Sequence, residues 1–170
     1  MNPSSQFTLP RTGHVVANRS VLAAMTNKQS NEDGTLSDEE IKWLVRRAKD
    51  GFAITTTAAA NVTEHGRGWD GEMGVWGDHQ LPGLTKMATQ LKATGTLSLA
   101  QIFHGGMRAP KPLNGVQPVS ASENTEDGMD GLYTRALTCN EVLEMIQSFT
   151  DASVRCQKAG FDGVELHGAH

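Results

Sequence analysis

The feature that most constrains this chain is the uneven spacing of its alternating apolar stretches. Four stretches carry strand chemistry, at residues 20–24 (SVLAA), 52–58 (FAITTTA), 96–103 (TLSLAQIF) and 161–166 (FDGVEL). Most are short and bounded by turn residues, as strands buried on both faces are. The second is rich in Thr, whose branched Cβ suits a pleated sheet. Amphipathic helices fill the three gaps. Ser37 and Glu40 form a capping box. It opens a helix whose face is Ile41, Leu44, Val45 and Ala48, ending at Gly51. A second helix is expected from about 82 to 94, with Leu84, Met87, Ala88 and Leu91 on one side and Pro82 in its first turn. The third starts in a box-like way at Thr138 and Glu141 and carries Val142, Met145, Ile146, Phe149 and Ala152 towards Gly160.

Gly51, Gly95 and Gly160 lead from each helix almost directly into the next strand, whereas segments 25–36, 61–81 and 104–137 make long excursions after the strands. Strictly alternating strands and helices imply parallel strands joined by right-handed crossovers. The fold class is therefore α/β, and a barrel and an open doubly wound sheet both fit. In a barrel the chemistry sits on the loops that follow the strands, and long loops in compact domains tend to be functional. With 170 residues the chain can bury a core but is short for a whole eightfold barrel, which takes about 250. It is expected to form part of one domain, with no internal boundary over 1–170.

Composition removes other classes. The formal charge is −4 with no Lys/Arg cluster, so nucleic acid is not an expected partner. No apolar run reaches the roughly 18 residues of a membrane span, and the opening residues lack signal-peptide character. Cys139 and Cys156 lie far apart without metal-ligand spacing and read as reduced thiols of a cytoplasmic protein.

The ends of the strands carry Ala24, Met25 and Thr26; Ala58, Ala59 and Ala60; Gln101 followed by His104; and His167 with His170. A hydroxyl, small side chains, an amide and imidazoles on one rim suit a planar heterocycle with a hydrogen-bonding edge. Each has a plainer use. Thr26 could cap a turn, Gln101 could satisfy backbone inside a barrel, and the alanines could be packing. His104 reads as structural, and His14, His65 and His79 as solvated loop residues. A His-x-x-His pair can also hold a metal, but no Cys pair or convergent carboxylate accompanies it. Glu165 fits a barrel layer or a buried ion pair equally well. No metal is expected.

In this order, NRSVLAAMTN, WGDHQLPGLTKMATQLKATG, QIFHGGMR and AGFDGVELHGAH resemble the old yellow enzyme family of FMN-dependent ene-reductases. The resemblance covers nearly the whole chain from about residue 13. It implies the first half of a (β/α)8 TIM barrel, about four β/α units. The implied activity of the complete barrel is NADH- or NADPH-linked reduction of activated C=C bonds, such as those of α,β-unsaturated carbonyls, with an electron-poor alkene as substrate. Ala24, Met25 and Thr26 would then lie along the FMN, with the Thr26 hydroxyl near its reactive edge. Ala59 would sit beside the ring, and Gln101 would bond the pyrimidine edge. His167 and His170 would donate hydrogen bonds to the substrate carbonyl, with His167 also close to the flavin. Other FMN barrels, such as dienoyl reductases and demethylase-like relatives, share this platform.

Two departures stand out. The proline that commonly precedes the Met-Thr pair is Ala24 here, and the Gly-Tyr that follows the second histidine in the family lies beyond His170. The later strands, with their phosphate-binding loops, are likewise not in these 170 residues. The chain is expected to be an incomplete portion of a longer barrel. The rival expectation is a non-catalytic or assembly-dependent half-barrel that pairs with a second copy or a partner chain.

Overall fold

A computed structural model describes residues 2–125 and 133–169. The chain opens with an antiparallel hairpin of β1 (Phe7–Thr8) and β2 (Val15–Val16). There follow β3 (Val21–Leu22), α1 (Asp38–Lys49), β4 (Ile54–Asn61), β5 (Met73–Gly74), α2 (Leu81–Lys92) and β6 (Leu97–Phe103). The loop after β6 contains α3 (Lys111–Asn114), β7 (Val119–Ser120), β8 (Asn124–Thr125) and β9 (Tyr133–Ala136). The chain then runs through α4 (Cys139–Ala159) and β10 (Gly163–Leu166).

The main sheet has the order β10-β6-β4-β3, every neighbouring pair parallel, with short β5 also joined in parallel to β4. The four expected strands are thus present, in the expected orientation. Their limits differ: β4 spans Ile54–Asn61 rather than 52–58, and at the sheet edges β3 covers only Val21 and Leu22 of the expected 20–24 and β10 starts at Gly163. An edge strand has one ladder partner, so pairing ends sooner. The excursion after β6 holds a small three-stranded sheet, β7-β9-β8, that the spacing of apolar residues does not announce.

The helices cover one face of the sheet. Ile41, Leu44, Val45 and Ala48 from α1 and Leu84, Met87, Ala88 and Leu91 from α2 are buried, as their spacing requires. They meet Ala60, Val62, Ala100 and Ile102 of the sheet loops and strands in one apolar cluster. Burial of each large side chain here contributes about 1.5–3 kcal/mol. Gly160, with φ +100°, ends α4 in the left-handed conformation while Phe161 N–H returns to the Cys156 carbonyl.

Two helix expectations need correction. On α4 the buried residues are Ala152, Cys156 and Ala159, with Met145 and Phe149 partly covered. Val142 and Ile146 are instead 42% and 58% exposed. At 21 residues the helix outruns the 12-residue α2 on which it packs, and Val142, Leu143 and Ile146 in its first half stay exposed. At α1 the capping box is half made. Ser37 Oγ accepts from Glu40 N at 3.1 Å, but the Glu40 carboxyl is spent elsewhere.

Candidate active site

The face of the sheet turned away from the helices is built in rows. Ala100, Ile102 and Val164 pack on the helix side, so strand alternation sends Leu99, Gln101, Phe103, Glu165 and His167 to the other face. Register aligns them: Ala59 lies opposite Gln101, and Gln101 opposite Glu165. One row further along, Asn61 lies opposite Phe103, and His167 N–H bonds the Ile102 carbonyl at 3.0 Å.

A bulge in β4 sets this alignment. Thr56 pairs with Leu99 and Ala59 with Gln101, so β4 carries one residue more than β6 over that span. The Thr57 hydroxyl takes up the mismatch. It accepts from Gln101 N at 3.1 Å and donates to the Ala58 carbonyl at 2.7 Å. Thr57 is a site residue that strand spacing does not reveal; the unusual Thr run at 55–57 is its one trace in the sequence.

Ala59 and Gln101 are buried, at 6% and 8% exposure. Gln101 Nε2 donates to Glu165 Oε1 at 2.5 Å, so the amide is held by a neighbouring strand rather than by backbone. Glu165 belongs to the same layer and is exposed. The His167 ring lies 5.4 Å from Phe103, which in turn lies 5.7 Å from Trp69. Ala24 is half-buried and Met25 and Thr26 are exposed, on the segment that continues from β3. His170 lies outside the described residues.

The remaining histidines divide as their positions suggest. His104 is half-buried, its Nδ1 accepts from Gly106 N at 2.9 Å, and burial holds its pKa below the ordinary value. With His65 and Arg135 it lines a separate cavity of about 320 Å³ under the loop after β6. His14, His65 and His79 are exposed. Among the described residues, no three His, Cys, Asp or Glu side chains converge as metal ligands, and no helix is long and apolar enough to cross a membrane. Both cysteines are free.

Two buried carboxyls lie behind the loops. Glu72, 2% exposed, accepts from Gly68 N at 2.6 Å, and burial pushes its pKa up to about 8. Glu40, fully buried, is also pushed up by burial, against the pull of its bonds from Ser30 and Asn27.

Parallel strands with outer helices, and an opposite face carrying small residues, an oriented amide and an imidazole, are the architecture of part of a (β/α) barrel. The chain belongs to the NADH:flavin oxidoreductase / NADH oxidase family, whose model matches residues 12–170. That family binds FMN and takes NADH or NADPH as reductant. The chain is 38% identical over 175 residues to "Probable NADH-dependent flavin oxidoreductase YqiG" of Bacillus subtilis, covering 100% of this chain and 46% of that protein. It is 36% identical over 167 residues to an NADH:acrylate oxidoreductase of Vibrio harveyi, covering 94% of this chain and 16% of that one. The crystal structure of an old yellow enzyme homologue from Zymomonas mobilis superposes with a TM-score of 0.88 at 24% identity, over 98% of this chain and 48% of that one. The chain thus spans less than half the length of these relatives, and its architecture is a partial TIM barrel.

The residues present fit a flavin. The Ala59 methyl leaves room for a ring to lie close to the strand, and the Gln101 amide offers both donor and acceptor chemistry to a heterocycle edge.

Proposed function

We propose that this chain is the N-terminal half of a single barrel domain that reduces activated C=C bonds, such as those of α,β-unsaturated carbonyls, with FMN as cofactor and NADH or NADPH as reductant. The observation that carries this reading is the pair of rows Ala59–Gln101–Glu165 and Asn61–Phe103–His167 on the concave face. A relative named for acrylate, an alkene conjugated to a carboxyl group, supports the substrate class.

In this reading FMN supplies hydride transfer. The protein's own work is binding, orientation and polarisation. Ala24, Met25 and Thr26 border the ring along one side, Ala59 admits it, and Gln101 bonds its polar edge while Glu165 keeps that amide from rotating. His167 and His170 donate to the carbonyl oxygen of the alkene, drawing electron density from the β-carbon that receives hydride. Phe103 and Trp69 form an apolar wall beside His167, which lowers the local dielectric and strengthens those bonds. Free thiols and an NAD(P)H reductant suit the cytoplasm.

The test is substitution of His167 by Ala in the full-length, flavin-loaded enzyme. Loss of a donor to the developing oxyanion is expected to lower kcat/KM for an α,β-unsaturated carbonyl by about 10²–10³. Reduction of the flavin by NADH alone should persist. Unchanged alkene turnover would remove His167 from the mechanism.

A further inference from the structure

We propose that Glu40, on the first turn of α1, is a positioning residue that clamps the loop after β3 and thereby sets where Thr26 stands. The proposal rests on the reading that Thr26 borders the flavin.

A glutamate at this point of a capping box would ordinarily reach back to its own helix end. Glu40 is instead 0% exposed. Its Oε1 accepts from Asn27 Nδ2 at 2.9 Å and its Oε2 from the Ser30 hydroxyl. Between these two partners Lys28 holds φ at +53°, a left-handed conformation that a residue with a Cβ seldom adopts unless its surroundings impose it. Asn27 tightens the turn further, since its Oδ1 accepts from Gln29 N at 3.1 Å.

The other side of the turn is pressed by the loop that leads into β5. Ser30 N donates to the Gly71 carbonyl at 3.1 Å. Gly71 has φ +73°, and a Cβ there would come within 2.7 Å of the Lys28 carbonyl oxygen. The strained turn is therefore held between a buried carboxyl and a glycine with no room for a side chain. Thr26 immediately precedes it and is itself exposed, so its placement depends on the clamped residues that follow.

The experiment compares Glu40→Ala, Glu40→Gln and, as a control on the same helix turn, Glu39→Ala in the full-length enzyme, all well below their unfolding temperatures. In the flavin-free protein, amide hydrogen exchange at residues 26–30 should accelerate about tenfold or more in Glu40→Ala while β4 and α2 keep their protection. In the flavin-loaded protein, the flavin absorption band should shift and its reduction by NADH should slow about five- to tenfold at unchanged KM, as misplacement of a group beside the reacting centre predicts. Glu40→Gln, which keeps an acceptor for Asn27, should fall between, and Glu39→Ala should match the parent. Adding Lys28→Gly to Glu40→Ala should recover part of the exchange protection, because glycine adopts the left-handed turn without a clamp. A uniform rise in exchange with flavin spectrum and reduction rate unchanged would overturn the proposal and leave Glu40 a stability residue. If Thr26→Ala also left spectrum and rate unchanged, the placement of Thr26 at the flavin would fail, while local exchange would still report on the clamp itself.

Discussion

At the scale of single residues, the buried acids set the pH behaviour. Glu72 holds its proton up to about pH 8 because burial penalises the carboxylate, against the pull of the Gly68 and Trp69 amides. A carboxyl raised in the folded state contributes stability that is fully present below its unfolded pKa near 4.5 and is lost as pH climbs through about 8. Between those values the slope is about 1.4 kcal/mol per pH unit at most, so the total is on the order of a few kcal/mol. His104 works in the opposite sense, since burial lowers its pKa and favours folding as pH rises. The difference between parent and Glu72→Gln isolates the acid. Thermal melts from pH 5 to pH 8 should show the parent losing stability relative to Glu72→Gln, and parallel curves would show that Glu72 is ionised in the folded protein. The same carboxyl anchors the turn that carries Trp69 to Phe103 and His167, so the upper part of this range should also loosen the wall beside His167.

At the scale of elements, the β4 bulge decides whether Ala59 and the Gln101 amide face the same way. Without the extra residue, Ala59 would slip out of register with Gln101, and a one-residue slip turns every side chain to the other face. The Thr57 hydroxyl replaces a ladder carbonyl for Gln101 N. Thr57→Val keeps the shape but leaves that buried N–H unpaired, at a cost of about 1–3 kcal/mol. Denaturant unfolding should report this loss, and flavin affinity of the full-length enzyme should fall with it. If Thr57→Val were as stable as the parent, the bulge would be held by backbone alone. The buried faces of α1 and α2 were legible from apolar spacing, because those residues meet the sheet in one apolar cluster, although α2 spans Leu81–Lys92 rather than the expected 82–94. The stripe on α4 was not, because periodicity marks which residues are apolar and not which of them have something to pack against.

At the scale of the molecule, the sheet has two open edges, β3 and β10, and apolar side chains stand along them. Val21 on β3 and Leu166 on β10 are 53% and 68% exposed, and Leu143 and Ile146 on α4 are 65% and 58% exposed. The chain spans 46% of the length of its Bacillus subtilis relative, and barrels bind phosphate on the loops after strands seven and eight. Each charge-assisted bond to phosphate contributes about 1.5–3 kcal/mol. Three of them amount to on the order of 4 kcal/mol, roughly a thousandfold in affinity. The 170 residues on their own should therefore bind FMN weakly and bind an apolar dye such as ANS strongly, and a chain extended through eight strands should reverse both. Fluorescence titration of each measures this. Micromolar or tighter FMN binding by the 170 residues alone would show instead that copies of the half-barrel complete one another's sites.

The sequence by itself determined the parallel α/β alternation and the faces of α1 and α2, since these follow from apolar spacing, glycine exits and loop lengths along the chain. Motifs at the strand ends were enough to point to the family and its cofactor. Only the tertiary structure decided what the polar side chains do. Glu40 reads in sequence as half of a capping box and is spent on Asn27 and Ser30; Gln101 reads as an amide for a cofactor edge or for backbone and is held by Glu165; Thr57 reads as one more strand residue and orients the Gln101 backbone. A hydrogen bond between residues 44 or 64 positions apart depends on register, and register is a property of paired strands rather than of either strand alone.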